Sequence, residues 1–75
     1  MIRFKLKEVI SETEFQNKRK IKIMEISDKT GVNRMTLSKM LNHYDVSVTT
    51  RNLDKLCKFF NCKIEDLLEY IEEPD

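Results

Sequence analysis

The sequence predicts an all-α fold: a compact bundle of five short helices, one domain over residues 1–75. Three observations carry that expectation. Apolar residues recur at helical spacing in one segment after another. One glycine and one proline leave too little punctuation for long irregular loops. The chain is 40% hydrophobic and 36% charged, enough for a small core beneath a well-solvated surface. A chain this short buries only about 60% of the surface its unfolded form exposes, so economical helix packing is expected.

Residues 1–7 alternate, with Ile2, Phe4 and Leu6 apolar and Arg3, Lys5 and Lys7 basic. That period of two predicts a short extended N-terminal segment. From Leu6 the spacing changes. Leu6, Val9, Ile10 and Thr13 form a helical stripe with Glu8, Glu12 and Glu14 outside it, so a first helix is expected over about residues 5–16. Phe15 falls off that stripe. Residues 17–22, NKRKIK, are the most basic stretch and lead into a second helix over 23–30, with Ile23, Ile26 and Thr30 on one face.

Gly31 is the sole glycine and stands where a helix end needs a positive φ without a Cβ penalty. A β-branched residue there is expected to strain the backbone and to jam the helix crossing. Val32 and Asn33 complete the turn, and Asn33 is a good N-cap for a third helix over 34–42 with Leu37, Met40 and Leu41 inward. Residues 43–48 read as a loop. Thr49 or Thr50 caps a fourth helix over about 50–60, whose stripe is Leu53, Leu56, Cys57 and Phe60. After a connection at 61–63, a fifth helix is expected over about 64–72, with Ile64, Leu67, Leu68 and Ile71 at i, i+3, i+4 and i+7 and Pro74 stopping it.

Composition narrows the function. The chain is too small to enclose most enzyme pockets, and no nucleophile or carboxylate constellation surrounds its one histidine, His43. One histidine and no C-x-x-C argue against a metal. Cys57 and Cys62 read as buried thiols. No signal-peptide pattern or membrane-length apolar run is present, so a cytoplasmic domain without membrane or small-molecule cofactor is expected. Residues 1–51 carry 11 Lys and Arg against 6 Asp and Glu, whereas residues 52–75 carry 3 against 7. A basic front and an acidic back suggest a polyanion partner for the front; the plainer account is an ordinary solvated surface.

The informative unit is 23–42. Ser27 is small where a second helix must cross, Gly31 supplies the left-handed turn, and Val32, Leu37 and Met40 are apolar pins that fix the crossing angle. Two short helices joined steeply through a tight turn need that set. With KTGVNRMTLSKMLN at 29–42, VTTRNLDKLCKFFNCKIEDLLEY at 48–70 and RFKLKE at 3–8, the sequence resembles the helix-turn-helix family of Cro and lambda-type repressors, the XRE family. The resemblance implies a five-helix DNA-binding domain, often dimeric, that regulates transcription. Ile23 stands where many members carry Gln to fix a phosphate, Lys22 replaces the usual Ser or Thr cap, Ser27 replaces Ala, and His43 stands where Gly is common. The resemblance leaves out 11–22, and the segment between the first and second helices is several residues longer than typical.

On this reading the third helix enters the major groove of double-stranded DNA, about 12 Å wide. Asn33, Arg34, Met35, Ser38 and Lys39 are the expected base contacts: Arg34 and Lys39 toward guanine, Met35 toward a thymine methyl group. Lys18, Arg19, Lys20, Lys22, Thr36, Asn42, His43 and Arg51 are the expected phosphate contacts. A solvated loop is the plainer account of Lys18–Lys20. The expected function is sequence-specific transcriptional regulation, as a repressor. The rival is a protein-interaction module on the same scaffold, such as an antitoxin or antirepressor; Arg34 and Lys39, without acidic neighbours on their helix, favour DNA. A weak homodimer strengthened by DNA is also expected, through either the alternating 1–6 segment or the edge of the fifth helix near Tyr70 and Ile71.

Overall fold

A computed structural model describes residues 1–42 and 46–73. The chain runs β1 (Ile2–Phe4), α1 (Leu6–Asn17), α2 (Ile23–Thr30), α3 (Arg34–Asn42), α4 (Thr50–Phe60), α5 (Ile64–Leu67) and β2 (Leu68–Tyr70). Local chemistry sets most of these limits. α1 ends on Lys18 at φ 54°, α2 on Gly31 at φ 79° and α4 on Asn61 at φ 52°, each a left-handed residue that turns the chain off the helix axis. Thr49 is the cap of α4, its hydroxyl oxygen accepting from the Asn52 amide at 3.1 Å. Asp66 accepts from the Lys63 amide at 2.9 Å and secures the start of α5.

The core is Leu6, Val9, Ile21, Ile26, Val32, Leu37, Met40, Leu56, Phe60 and Leu67. Every helix contributes to it, and the turn contributes Val32. Leu41, Leu53 and Cys57, expected inward, are only partly buried against this core. Thr30 is the buried polar residue. Its hydroxyl donates to the Ile26 carbonyl at 2.6 Å and accepts from the Val32 amide at 3.1 Å, so its burial leaves nothing unpaired.

The expected fifth helix is corrected. It stops after four residues, and Leu68 turns extended at φ −127° and ψ 149°. Residues 68–70 instead form a strand antiparallel to β1, pairing Ile2 with Tyr70, Arg3 with Glu69 and Phe4 with Leu68. Backbone bonds extend the ladder at both ends, from Lys5 N–H to Leu67 O at 2.7 Å and from Ile71 N–H to Met1 O at 2.8 Å. Arg3 ties the sheet to α1 as well, reaching Glu69 at 3.2 Å and Glu8 at 3.7 Å. An isolated β1 would leave a row of amides and carbonyls to water, and pairing with 68–70 satisfies one side of it. Ile64, the first residue of the supposed stripe, is 48% exposed. Pro74 lies outside the described residues.

The 18–22 connection also departs from a plain polar loop. Ile21 is buried in the core, and its amide donates to the Glu14 carboxylate at 2.7 Å. Glu14, expected outside the stripe, is therefore half-buried and works as the anchor of the connection.

Candidate nucleic-acid interface

The turn between α2 and α3 is built by short-range bonds. Gly31 N–H donates to Ser27 O at 2.8 Å, which closes α2. Asn33 then caps α3 as expected: its side-chain oxygen accepts from Met35 N–H at 2.7 Å. The pins are buried, with Val32 1%, Leu37 0% and Met40 2% exposed. One buried pin in the turn and two on α3 leave the crossing of α2 and α3 little freedom.

Burial of those pins decides what α3 shows to solvent. Arg34, Met35, Ser38, Lys39 and Asn42 are exposed, and Thr36 is half-buried. Asn33 is exposed too, with its oxygen occupied by the cap and its amide donors outward. The Asn42 side-chain nitrogen donates to Ser38 O at 2.9 Å, which holds its oxygen acceptor outward. Among the described residues, neither Arg34 nor Lys39 has a carboxylate partner. Both charges therefore face solvent without a carboxylate partner from the described residues.

The second basic group surrounds the entry to α2. Lys18, Lys20 and Lys22 are exposed. Arg19 is different, because it grips Glu25 with both guanidinium arms, at 2.9 and 2.6 Å. That hydrogen bond holds the Glu25 carboxyl below its ordinary value and raises the guanidinium further. Arg19 thus braces the connection against α2. Arg51 is exposed in the first turn of α4, beside Thr49, Thr50 and Asp54 around a shallow hollow. His43 lies outside the described residues.

One neighbour of the base-contact set is not foreseen from sequence. Met24 is 57% exposed and shares a shallow hollow with Ile23, Arg34, Met35 and Ser38. Its only signal is negative: it lies off the inward stripe of α2. Phe15, off the stripe of α1, is 79% exposed beside Lys18, Arg19 and Lys20.

The family model of the Cro/C1-type HTH DNA-binding domain matches residues 13–73. An "Uncharacterized HTH-type transcriptional regulator YozG" of Bacillus subtilis (strain 168) is 31% identical over 58 residues, which are 77% of this chain and 69% of that protein. No solved structure matches.

Proposed function

The chain belongs to the Cro/C1-type helix-turn-helix DNA-binding family of transcriptional regulators, which are not enzymes, and from that premise we propose that it represses transcription by laying α3 in the major groove of a specific operator. The observation that carries the proposal is the division of α3. Its pins are wholly committed to the core, while Arg34, Met35, Ser38 and Lys39 stand together outside it. An α-helix with side chains is about 10–12 Å across, and the groove is about 12 Å wide.

The roles follow from side-chain chemistry. Arg34 and Lys39 donate to guanine O6 and N7, Met35 meets a thymine methyl group, and Asn33 and Ser38 complete the base contacts. Lys18, Lys20, Lys22, Thr36, Asn42 and Arg51 hold phosphates and fix register without reading sequence. Arg19 contributes charge near the backbone while Glu25 holds it in place. A small reader of this kind gains affinity by doubling, so we place a weak homodimer on operator half-sites about 34–36 Å apart. Its contact is the two-stranded sheet, where the two surfaces considered from sequence turn out to be one. Repression then follows from occupying DNA that the transcription machinery needs, in the cytoplasm where that DNA lies.

The test begins with selection of preferred duplexes from random DNA, followed by salt titrations on the selected operator and a scrambled duplex. Arg34→Ala is expected to lose about 1–3 kcal/mol on the operator and to relax preference at one base pair. Lys20→Ala is expected to weaken both duplexes alike and to reduce the slope of log K against log salt by about one. If both variants bound both duplexes as the parent does, groove docking would fail and the protein-interaction reading would take its place.

A further inference from the structure

The hollow between the first turns of α2 and α3 is an apolar spot on a cationic face. Ile23, Met24, Arg34, Met35 and Ser38 line it. Met24 is 57% and Met35 68% exposed, so neither thioether is there to fill the core. Both are flexible and polarizable, suited to closing around a small apolar group. Ile23, half-buried beneath them, supplies a hydrocarbon wall. Arg34 stands on the rim with no carboxylate partner among the described residues.

We propose that this hollow reads a C5-methyl group on a pyrimidine in the major groove, beside a guanine held by Arg34. The inference rests on the docking of α3 proposed above and adds to it Met24 of α2 and a response to methylated cytosine. The edges of base pairs in the major groove carry hydrogen-bond donors and acceptors, with one apolar exception, the C5-methyl group of thymine. An apolar hollow facing bases therefore has one chemical match. Arg34 borders the same hollow and matches guanine O6 and N7, so the methyl group and the guanine belong to neighbouring base pairs. Met24 becomes a specificity-determining residue contributed by α2. Cytosine methylated at C5 presents the same group at the same ring position. The hollow accepts it too, which makes binding sensitive to DNA methylation at that one base pair.

The experiment uses the full chain and a duplex selected from random DNA. Each thymine is replaced in turn by deoxyuridine, which removes the methyl group and nothing else. One replacement beside a guanine is expected to weaken binding about fourfold, the worth of one methyl group taken out of water at ~0.8 kcal/mol. At the same position a cytosine pair is compared with its 5-methylcytosine counterpart, and the methylated duplex is expected to bind about fourfold tighter. Met24→Gln and Met35→Gln, both at exposed positions, should melt as the parent does. Each should bring the thymine-to-deoxyuridine ratio toward one without changing the salt slope, since no charge is lost. If the selected duplex outcompetes scrambled DNA but every deoxyuridine replacement is neutral, the methyl-reading site is overturned and operator recognition stands. A deoxyuridine effect undiminished in both methionine variants overturns the assignment to this hollow. A selected duplex bound no tighter than scrambled DNA overturns operator recognition and the methyl site with it.

Discussion

Gly31 shows how one residue fixes the turn. Its φ of 79° is in the region that L side chains rarely adopt. Among the described residues, a Cβ built there would meet only Lys55 Nζ, at 3.7 Å, an ordinary contact. The first atom of a side chain therefore finds room at the helix crossing, and the left-handed backbone is the strain that the glycine relieves. Gly31→Val should lose about 1–3 kcal/mol in urea unfolding, and Gly31→Asn less, because Asn tolerates the left-handed region. Equal losses would point to a steric clash instead. Cys62 is also decided by its surroundings. Burial first, then Cys57 beside it, pushes its thiol from 9.0 up to about 11. The folded state then keeps a proton that the unfolded state releases. The stability this contributes is intact below about pH 9 and is lost as the pH rises toward 11. Melting curves across that range should fall more steeply for the parent than for Cys62→Ser.

At the scale of elements, the 18–22 connection depends on Glu14 as much as on its own residues. Glu14→Ala would leave the Ile21 amide, part-buried over the core, without its acceptor. A loss of about 1–3 kcal/mol is expected, with Glu14→Gln recovering most of it because the amide oxygen can still accept. Urea titration of the two variants checks this, and identical curves would rule the bond out as a support. The same bond marks where the sequence was legible. α2, α3 and α4 were readable because their limits are set by neighbours in sequence: Gly31, Asn33 and Thr49. Ile21 and Glu14 are seven residues apart and belong to different segments, so neither period nor composition linked them. The fifth helix was misread for a related reason. Ile64, Leu67, Leu68 and Ile71 satisfy a helical template, but residues 68–70 pair with 2–4, and no local pattern registers that partner. The outer side of α3, the candidate interface, was legible through its pins: knowing which side is buried gives the side that is not. Met24 escaped because it becomes part of that face only when α2 and α3 cross.

At the scale of the molecule, charge divides along the chain, residues 1–51 carrying 11 Lys and Arg against 6 Asp and Glu, and residues 52–75 carrying 3 against 7. The sheet presents Ile2 at 44% and Tyr70 at 72% exposure, an aliphatic–aromatic pair directly across the ladder. Sedimentation with a palindromic operator should give two chains per duplex and a monomer in dilute protein without DNA. One chain per whole operator would remove the dimer. The sheet has another consequence, concerning the order of events during synthesis. β1 is made first, and its partner β2 follows 66 residues later in register. The turn between α2 and α3 is closed by bonds between near neighbours in sequence, whereas β1 must wait with both edges open. An open strand is a template for the wrong neighbour. Arg3, Lys5 and Lys7, alternating through that stretch, put like charges on nascent chains that meet there, and so guard the strand until Ile71 emerges to close it.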